Sequence, residues 1–205
     1  MRTAKIERAT RETDIKLSIN LDGKGDKKID TNCGFFNHML ELLFVHAGFD
    51  GEVYCKGDVE VDYHHTVEDV AICLGQAVDK ALGDRRQITR YADIILPMDE
   101  ALILCAMDIS GRGGLNFDVE MPAQKVYDDS DEIKRSVGDF DTELCEEFFV
   151  AFTRESKINI HFKKLYGKNT HHIIEGVFKA FARCLKKAVS IDETISGIPS
   201  SKGVL

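Results

Sequence analysis

Apolar and polar residues alternate near the N-terminus. Ile15, Leu17, Ile19 and Leu21 share one face, and Asp22-Gly23 follows as a turn signal. A period of two predicts a half-buried strand, paired in a hairpin with Lys5–Thr10 before it. The period then changes. Phe36, Met39, Leu40, Leu43 and Phe44 recur at helical spacing across Phe35–Ala47, and Gly48 supplies the stop. Glu52–Cys55 and Asp58–Val61 read as short strands. A long helix is expected from about Thr66 to Leu82, closed by Gly83-Asp84. Ile94–Leu96 and Leu102–Ile109 read as strands joined around Pro97, and Leu115–Val119 as another. A helix over Thr142–Arg154 and a strand at Ile158–Phe162 come next. Asn169 or Thr170 can cap a last helix running to about Val189. The tail Ile198–Leu205 carries neither period.

The pattern repeats. HHTVEDVAICLGQAVDKAL, from His64, aligns with HHIIEGVFKAFARCLKKAV, from His171. Each copy follows a short strand and, before that, a helix. The prediction is an α+β fold built from an internally duplicated two-layer α/β unit. Each half is a small sheet with helices on one face, and the helices of the two halves pack together. The pseudo-repeats cover about residues 1–90 and 91–190 of one domain, 1–205, with a tail at 191–205.

Composition narrows the function classes. The net charge of −8 makes a surface that repels phosphate backbones, so nucleic acid is not an expected partner. Basic residues that bind an anion must therefore be clustered locally. The six cysteines form no C-x-x-C pair and fall in apolar segments, as reduced buried thiols do. The first twenty residues hold no apolar core of a signal peptide, and no apolar run is long enough to span a membrane. These features lead us to expect a cytoplasmic protein without a membrane partner.

The repeat also carries chemistry. Residues i and i+4 share a helix face, so His64 with Glu68, and His171 with Glu175, can each offer an imidazole and a carboxylate to one ion. His65 and His172 point about 100° away, so one helical turn can serve two different ions. Imidazole with carboxylate suits zinc, manganese, iron or nickel rather than calcium. His38, in FFNHML, stands upstream of His64 about as far as Glu147, in CEEFFVAF, stands upstream of His171. If His38 is a ligand, Glu147 is its pseudo-symmetric counterpart. Arg90, Arg112 in SGRGG, and Lys202 beside Ser200 and Ser201 are candidates for an anion site, because small neighbours let backbone amides approach.

The segments FFNHML, DYHHTVEDVAICLGQA, RYADIILPMDEAL, DISGR, DTELCEEFF, GKNTHHIIEGVFKAFARCL and PSSKGVL together resemble the imidazoleglycerol-phosphate dehydratases of histidine biosynthesis. The likeness runs from about Arg8 to Leu205, in order. It implies a hydro-lyase that converts D-erythro-imidazoleglycerol phosphate to imidazoleacetol phosphate. It further implies that His38, His64, His65, Glu68, His171, His172 and Glu175 hold two Mn2+ per active site, other divalent ions being possible. Glu147 falls where relatives carry His or Glu. Glu12, in RATRET, matches a carboxylate at the substrate, and His46 a histidine near it. Arg90, Arg112, Ser200, Ser201 and Lys202 match a phosphate-binding set, and His38 borders the substrate. The catalytic candidates are Glu12, His46, Glu68 and Glu175. The resemblance also implies a hollow homo-oligomer of about 24 chains with active sites between subunits.

The chain departs from the family pattern at three places: Tyr63 stands where Asp is usual, Leu42 where Gln is common, and Gly113-Gly114 where a bulkier pair is usual. The C–H to be broken is not acidic. The expected route therefore begins with metal-assisted expulsion of the hydroxyl beside an electron-rich ring. Glu12 is the candidate that then takes the proton. The same ligands would serve a dinuclear metal hydrolase, which phosphoester turnover would reveal. They would also serve a non-enzymatic metal-binding shell protein, which would need no phosphate-binding set.

Overall fold

The structure is a computed structural model, described for residues 1–122, 124–125, 133–134 and 136–205. The first unit contains β1 (Thr3–Ala9), β2 (Thr13–Asn20), β3 (Lys27–Asp30), α1 (Gly34–Ala47), β4 (Asp50–Gly57) and α2 (His64–Leu82). The second begins with β5 (Tyr91–Met98), β6 (Ala101–Asp108) and β7 (Gly114–Asp118). Two short ribbons follow: β8 (Gln124–Lys125) with β9 (Ile133–Lys134), and β10 (Ser136–Val137) with β11 (Phe140–Asp141). Then come α3 (Leu144–Ser156), β12 (Asn159–Tyr166) and α4 (Thr170–Ala188). The sheets have the orders β1-β2-β4-β3 and β5-β6-β12-β7. In both, only the last pair is parallel. The duplication expected from the two His-His-x-x-Glu copies thus extends to strand order and direction.

Alternation explains which sheet faces turn inward. Ile15, Leu17 and Ile19 of β2, and Ala101, Ile103, Cys105 and Met107 of β6, are buried, with more exposed residues between them. The helices cover those faces and then meet each other, α2 against α3 and α1 against α4. A phenylalanine seam fills the centre. Phe149 of α3 lies 4.6 Å from Phe162, 5.2 Å from Phe178 and 5.1 Å from Phe181, measured between ring centroids. At Gly75 the backbones of α2 and α3 nearly touch: a β-carbon there would sit 2.8 Å from the Phe152 carbonyl oxygen. All six cysteines are buried and unpaired. Among the described residues, no helix is long and apolar enough to cross a membrane.

Both helix pairs run parallel. His38 of α1 and Gly48 just past its end approach Glu175 and Lys186 of α4 respectively, so the two helices advance together. Gly75 and Asp79 of α2 likewise meet Phe152 and then Lys157 at the end of α3. Each His pair, at the start of its helix, therefore lies beside the early turns of α1 or α3.

Several local expectations need correction. Asp58–Val61 is a turn, closed by Val61 N–H donating to the Asp58 carbonyl. β3 was not anticipated, because KKID has one half-buried apolar residue and hence no alternation. Pro97 lies inside β5, and the turn is at Asp99-Glu100. β5 is an edge strand, where a residue without an N–H is tolerated. The helix expected from Thr66 begins at His64.

Candidate active site

Capping fixes the first turn of each helix that carries a His-His-x-x-Glu motif. Asn169 Oδ1 accepts the backbone N–H groups of His171 (2.9 Å) and His172 (3.4 Å). In α2 the side chain of Tyr63 makes no cap, and Asp62 Oδ1 takes the His64 N–H at 2.7 Å. The Tyr63 departure thus leaves the helix start intact.

The i, i+4 geometry then appears as the sequence predicts. His171 Nε2 is 3.2 Å from Glu175 Oε2, and His64 Nε2 is 3.9 Å from Glu68 Oε2. His38, carried by α1, places its Nε2 3.5 Å from the same Glu175 oxygen. Among the described residues, His38, His171 and Glu175 form one trio of donors, all within 4.8 Å of one another. Two donors each about 2.1 Å from one ion, at right angles, would be separated by about 3 Å, so this trio fits a divalent ion. Lys179, one turn after Glu175, takes the other oxygen, Oε1, at 2.5 Å. That leaves Oε2 for the two imidazoles. Burial pushes the Glu175 carboxyl up, but Lys179 and His38 outweigh it, and the net shift is downward.

The second histidine of each pair turns toward a hairpin. His65 Nδ1 lies 3.0 Å from Asp58 Oδ2, and its Nε2 lies 3.8 Å from Glu12 Oε1. His172 Nδ1 lies 2.6 Å from Glu100 Oε2, and its Nε2 lies 3.6 Å from Asp99 Oδ2. The hydrogen bond that Asp58 accepts raises the His65 pKa, and the one that Glu100 accepts raises the His172 pKa. The His172 contact in turn takes the Glu100 carboxyl down to about 2. A carboxylate on Nδ1 fixes the ring and leaves Nε2 as the available donor, the usual arrangement behind a metal-binding histidine. Asp58, Asp99, Glu100 and Lys179 were not singled out in the sequence. Lys179 could have been, four residues after Glu175. Asp99-Glu100 could have been, because the β5–β6 turn repeats the β1–β2 turn that holds Glu12.

Glu68 also faces Arg154 Nη2 at 3.8 Å. Glu147 is half-buried in the first turns of α3 and does not join the trio. It lies seven residues before Arg154, on the α3 face that reaches Glu68. His46 is two turns along α1 from His38. Its pKa is lowered by burial and by the charges of Lys179 and Arg183.

The basic candidates gather elsewhere. Arg90 Nε and Nη2 donate to the two Asp108 oxygens at 2.7 and 3.1 Å, and Nη1 donates to the Pro199 carbonyl at 2.8 Å. Its guanidinium stacks 4.5 Å from the Tyr91 ring centre. That bond ties down the turn holding Ser200, Ser201 and Lys202, in which Lys202 N–H donates to Ser200 Oγ at 3.2 Å. Leu205 lies against Gly111, beside exposed Arg112. Gly113 explains another departure: a β-carbon there would sit 2.3 Å from the Thr153 carbonyl oxygen, leaving no room for a larger residue. Arg90 N–H bonds to the Ala188 carbonyl, at the far end of α4 from His171. α4 has 19 residues, so its ends stand about 27 Å apart at the usual helical rise.

The sequence model of imidazoleglycerol-phosphate dehydratase matches residues 31–185. The chain belongs to the imidazoleglycerol-phosphate dehydratase family. The imidazoleglycerol-phosphate dehydratase of Clostridium kluyveri is 51% identical over 205 residues, covering all of both chains. That of Azorhizobium caulinodans is 53% identical over 206 residues, covering 100% of this chain and 99% of the relative. The solved imidazoleglycerol-phosphate dehydratase of Staphylococcus aureus superposes with a TM-score of 0.80 at 35% identity, covering 93% of this chain and 99% of the other. The Pyrococcus furiosus structure gives 0.80 at 34% identity, covering 98% and 100%. The protein is thus a hydro-lyase of histidine biosynthesis, acting on a small phosphorylated substrate. Its imidazoleglycerol-phosphate dehydratase frame places the two His-His-x-x-Glu turns at one end of the helices and the basic set at the other.

Proposed function

We propose that this dehydratase removes water from D-erythro-imidazoleglycerol phosphate in a metal-dependent reaction, with two divalent ions, manganese foremost, in each active site. The convergence of His38, His171 and Glu175 from two helices of the duplicated frame carries this reading. His64 and Glu68, with Glu147 on the facing helix, form the candidate counterpart. His65 and His172 offer their Nε2 atoms on the other face of each turn. Bound metal would acidify the ring N–H of the substrate, and loss of that proton leaves a ring electron-rich enough to expel the adjacent hydroxyl.

The remaining roles belong to side chains. Glu12 is half exposed and stands beside His65, placed to take the carbon-bound proton. Burial and the charges of Lys179 and Arg183 lower the His46 pKa, which favours its neutral ring. Arg90 uses three of its five donors within the chain, leaving two for a phosphate. Arg112, Ser200, Ser201 and Lys202 would complete that grip. A substrate a few bonds long cannot bridge the two ends of α4, so His171 and Arg90 of one chain cannot serve the same molecule. This separation supports a site assembled between copies, in keeping with a homo-oligomer of about 24 chains.

The test is metal removal by chelation, followed by readdition of manganese, with imidazoleglycerol phosphate as substrate. Turnover should disappear and return. Glu175→Gln should lower metal content by elemental analysis as well as turnover. Full activity in the chelated protein would overturn the metal dependence. Turnover of phosphoesters in place of dehydration would favour the hydrolase reading.

A further inference from the structure

The two units hold their hairpins to the following helix by different means. In the second, the residue after Glu175 is Gly176, and a β-carbon there would meet Ile103 at 3.0 Å and Met98 at 3.5 Å. The first inward residue of β6 is Ala101. That hairpin is seated by apolar contact. In the first unit the equivalent positions are Asp69 and Thr13. Asp69 is only 6% exposed. Its Oδ2 accepts from Thr13 Oγ1 at 2.5 Å, and its Oδ1 accepts from Arg8 Nη2 at 2.9 Å and Nε at 3.2 Å.

This network reaches the turn that carries Glu12. Thr10 Oγ1 accepts the N–H groups of both Glu12 (3.1 Å) and Thr13 (3.0 Å). The Glu12 carbonyl accepts the Asp58 N–H at 3.0 Å, and Asp58 is also the residue on His65 Nδ1. A carboxylate buried against a half-exposed arginine is a poor source of stability compared with apolar packing of the same volume. The second unit shows that the frame seats this hairpin without one.

We propose that Asp69 is a positioning residue: through Thr13 and Arg8 it fixes the Thr10–Thr13 turn, so that the Glu12 carboxylate is held beside His65. The inference rests on the reading of Glu12 as the proton-transfer group.

The experiment is a mutant cycle on the manganese-loaded enzyme. Asp69→Asn should lower kcat about 10- to 100-fold, the scale expected for a displaced catalytic group, while KM and metal content per chain stay within about threefold. Thr13→Val should act alike, and Thr13→Ser, which keeps the hydroxyl, should restore kcat to within about twofold. In a Glu12→Gln background, Asp69→Asn should cost less than about twofold more, because its effect passes through Glu12. An equal loss in both backgrounds would overturn the proposal, as would an unchanged kcat in Asp69→Asn. If Asp69→Asn does not fold, Thr13→Val carries the same cycle with the Arg8–Asp69 pair intact. Near wild-type kcat in Glu12→Gln alone would overturn the Glu12 reading, and is read without any Asp69 variant.

Discussion

The C-terminal tail hangs on few bonds, and one of them can be removed cleanly. Arg90 Nη1 donates to the Pro199 carbonyl at 2.8 Å while Nε and Nη2 hold Asp108. A lysine at this position can pair with Asp108 but cannot also reach Pro199, since a single ammonium lacks the planar fork. Arg90→Lys therefore keeps the charge and loses the tether. A hydrogen bond with one charged partner contributes about 1.5–3 kcal/mol. The lower end suits this half-buried contact. A loss of about 1.4 kcal/mol is a tenfold rise in the released population. Lys202 is exposed and follows the tether, so trypsin cleavage there reports on release. Where opening is fast, cleavage tracks the open population. Loss of Gly203–Leu205, followed by mass spectrometry, should run about tenfold faster in the variant. The thermal midpoint should barely move, and KM for the phosphorylated substrate should rise. An unchanged cleavage rate would refute the claim that Arg90 secures the tail.

Three further outcomes follow from the same geometry. Phe149→Ala should cost about 3–5 kcal/mol in a denaturant melt, because Phe149 is fully buried and faces Phe162, Phe178 and Phe181. In chelator-treated protein, Glu100→Gln should lower the His172 pKa toward its ordinary value, as read by NMR titration of the ring proton. The sign follows from linkage. The raised His172 pKa gives a contribution present below about 6.5 and lost as pH rises through the folded value. The Glu100 contribution is present above the ordinary carboxylate range and lost as pH falls toward about 2. Glu147→Ala should lower metal content per chain, and unchanged stoichiometry would remove Glu147 from the ligand set.

Periodicity was most readable where a face is buried. β2, α1, α2 and α4 each turn an apolar stripe to the core, and each was anticipated to within a few residues. β3 lies at a sheet edge with polar residues, so nothing in its pattern marked it. Asp58–Val61 alternates like a strand, yet the Asp58 N–H goes to the Glu12 carbonyl of the facing hairpin and the Val61 N–H closes a turn on the Asp58 carbonyl. The site divides the same way. Partners within one helix, His171 with Glu175 and His64 with Glu68, follow from spacing. Partners across elements, such as Asp58 on His65 and Glu100 on His172, depend on where two turns come to rest. No spacing within one element encodes that, and only the internal repeat points to the Asp99-Glu100 turn.

Duplication makes the differences between the halves informative. The His-His-x-x-Glu turn is retained in both copies, as is a carboxylate on Nδ1 of the second histidine. What differs surrounds it. His38 closes a trio with His171 and Glu175 to within 4.8 Å, whereas Glu68 of the other turn lies beside Arg154. A basic side chain nevertheless faces the carboxylate of each turn, Arg154 at 3.8 Å from Glu68 and Lys179 at 2.5 Å from Glu175. The hairpins differ too: Glu12 is clamped through a buried Asp69, whereas Asp99 rides on apolar packing. A frame with two equivalent ligand turns gains nothing in stability from making them unequal. The inequality makes chemical sense if the two turns hold opposite sides of one substrate, only one of which needs a proton taken away.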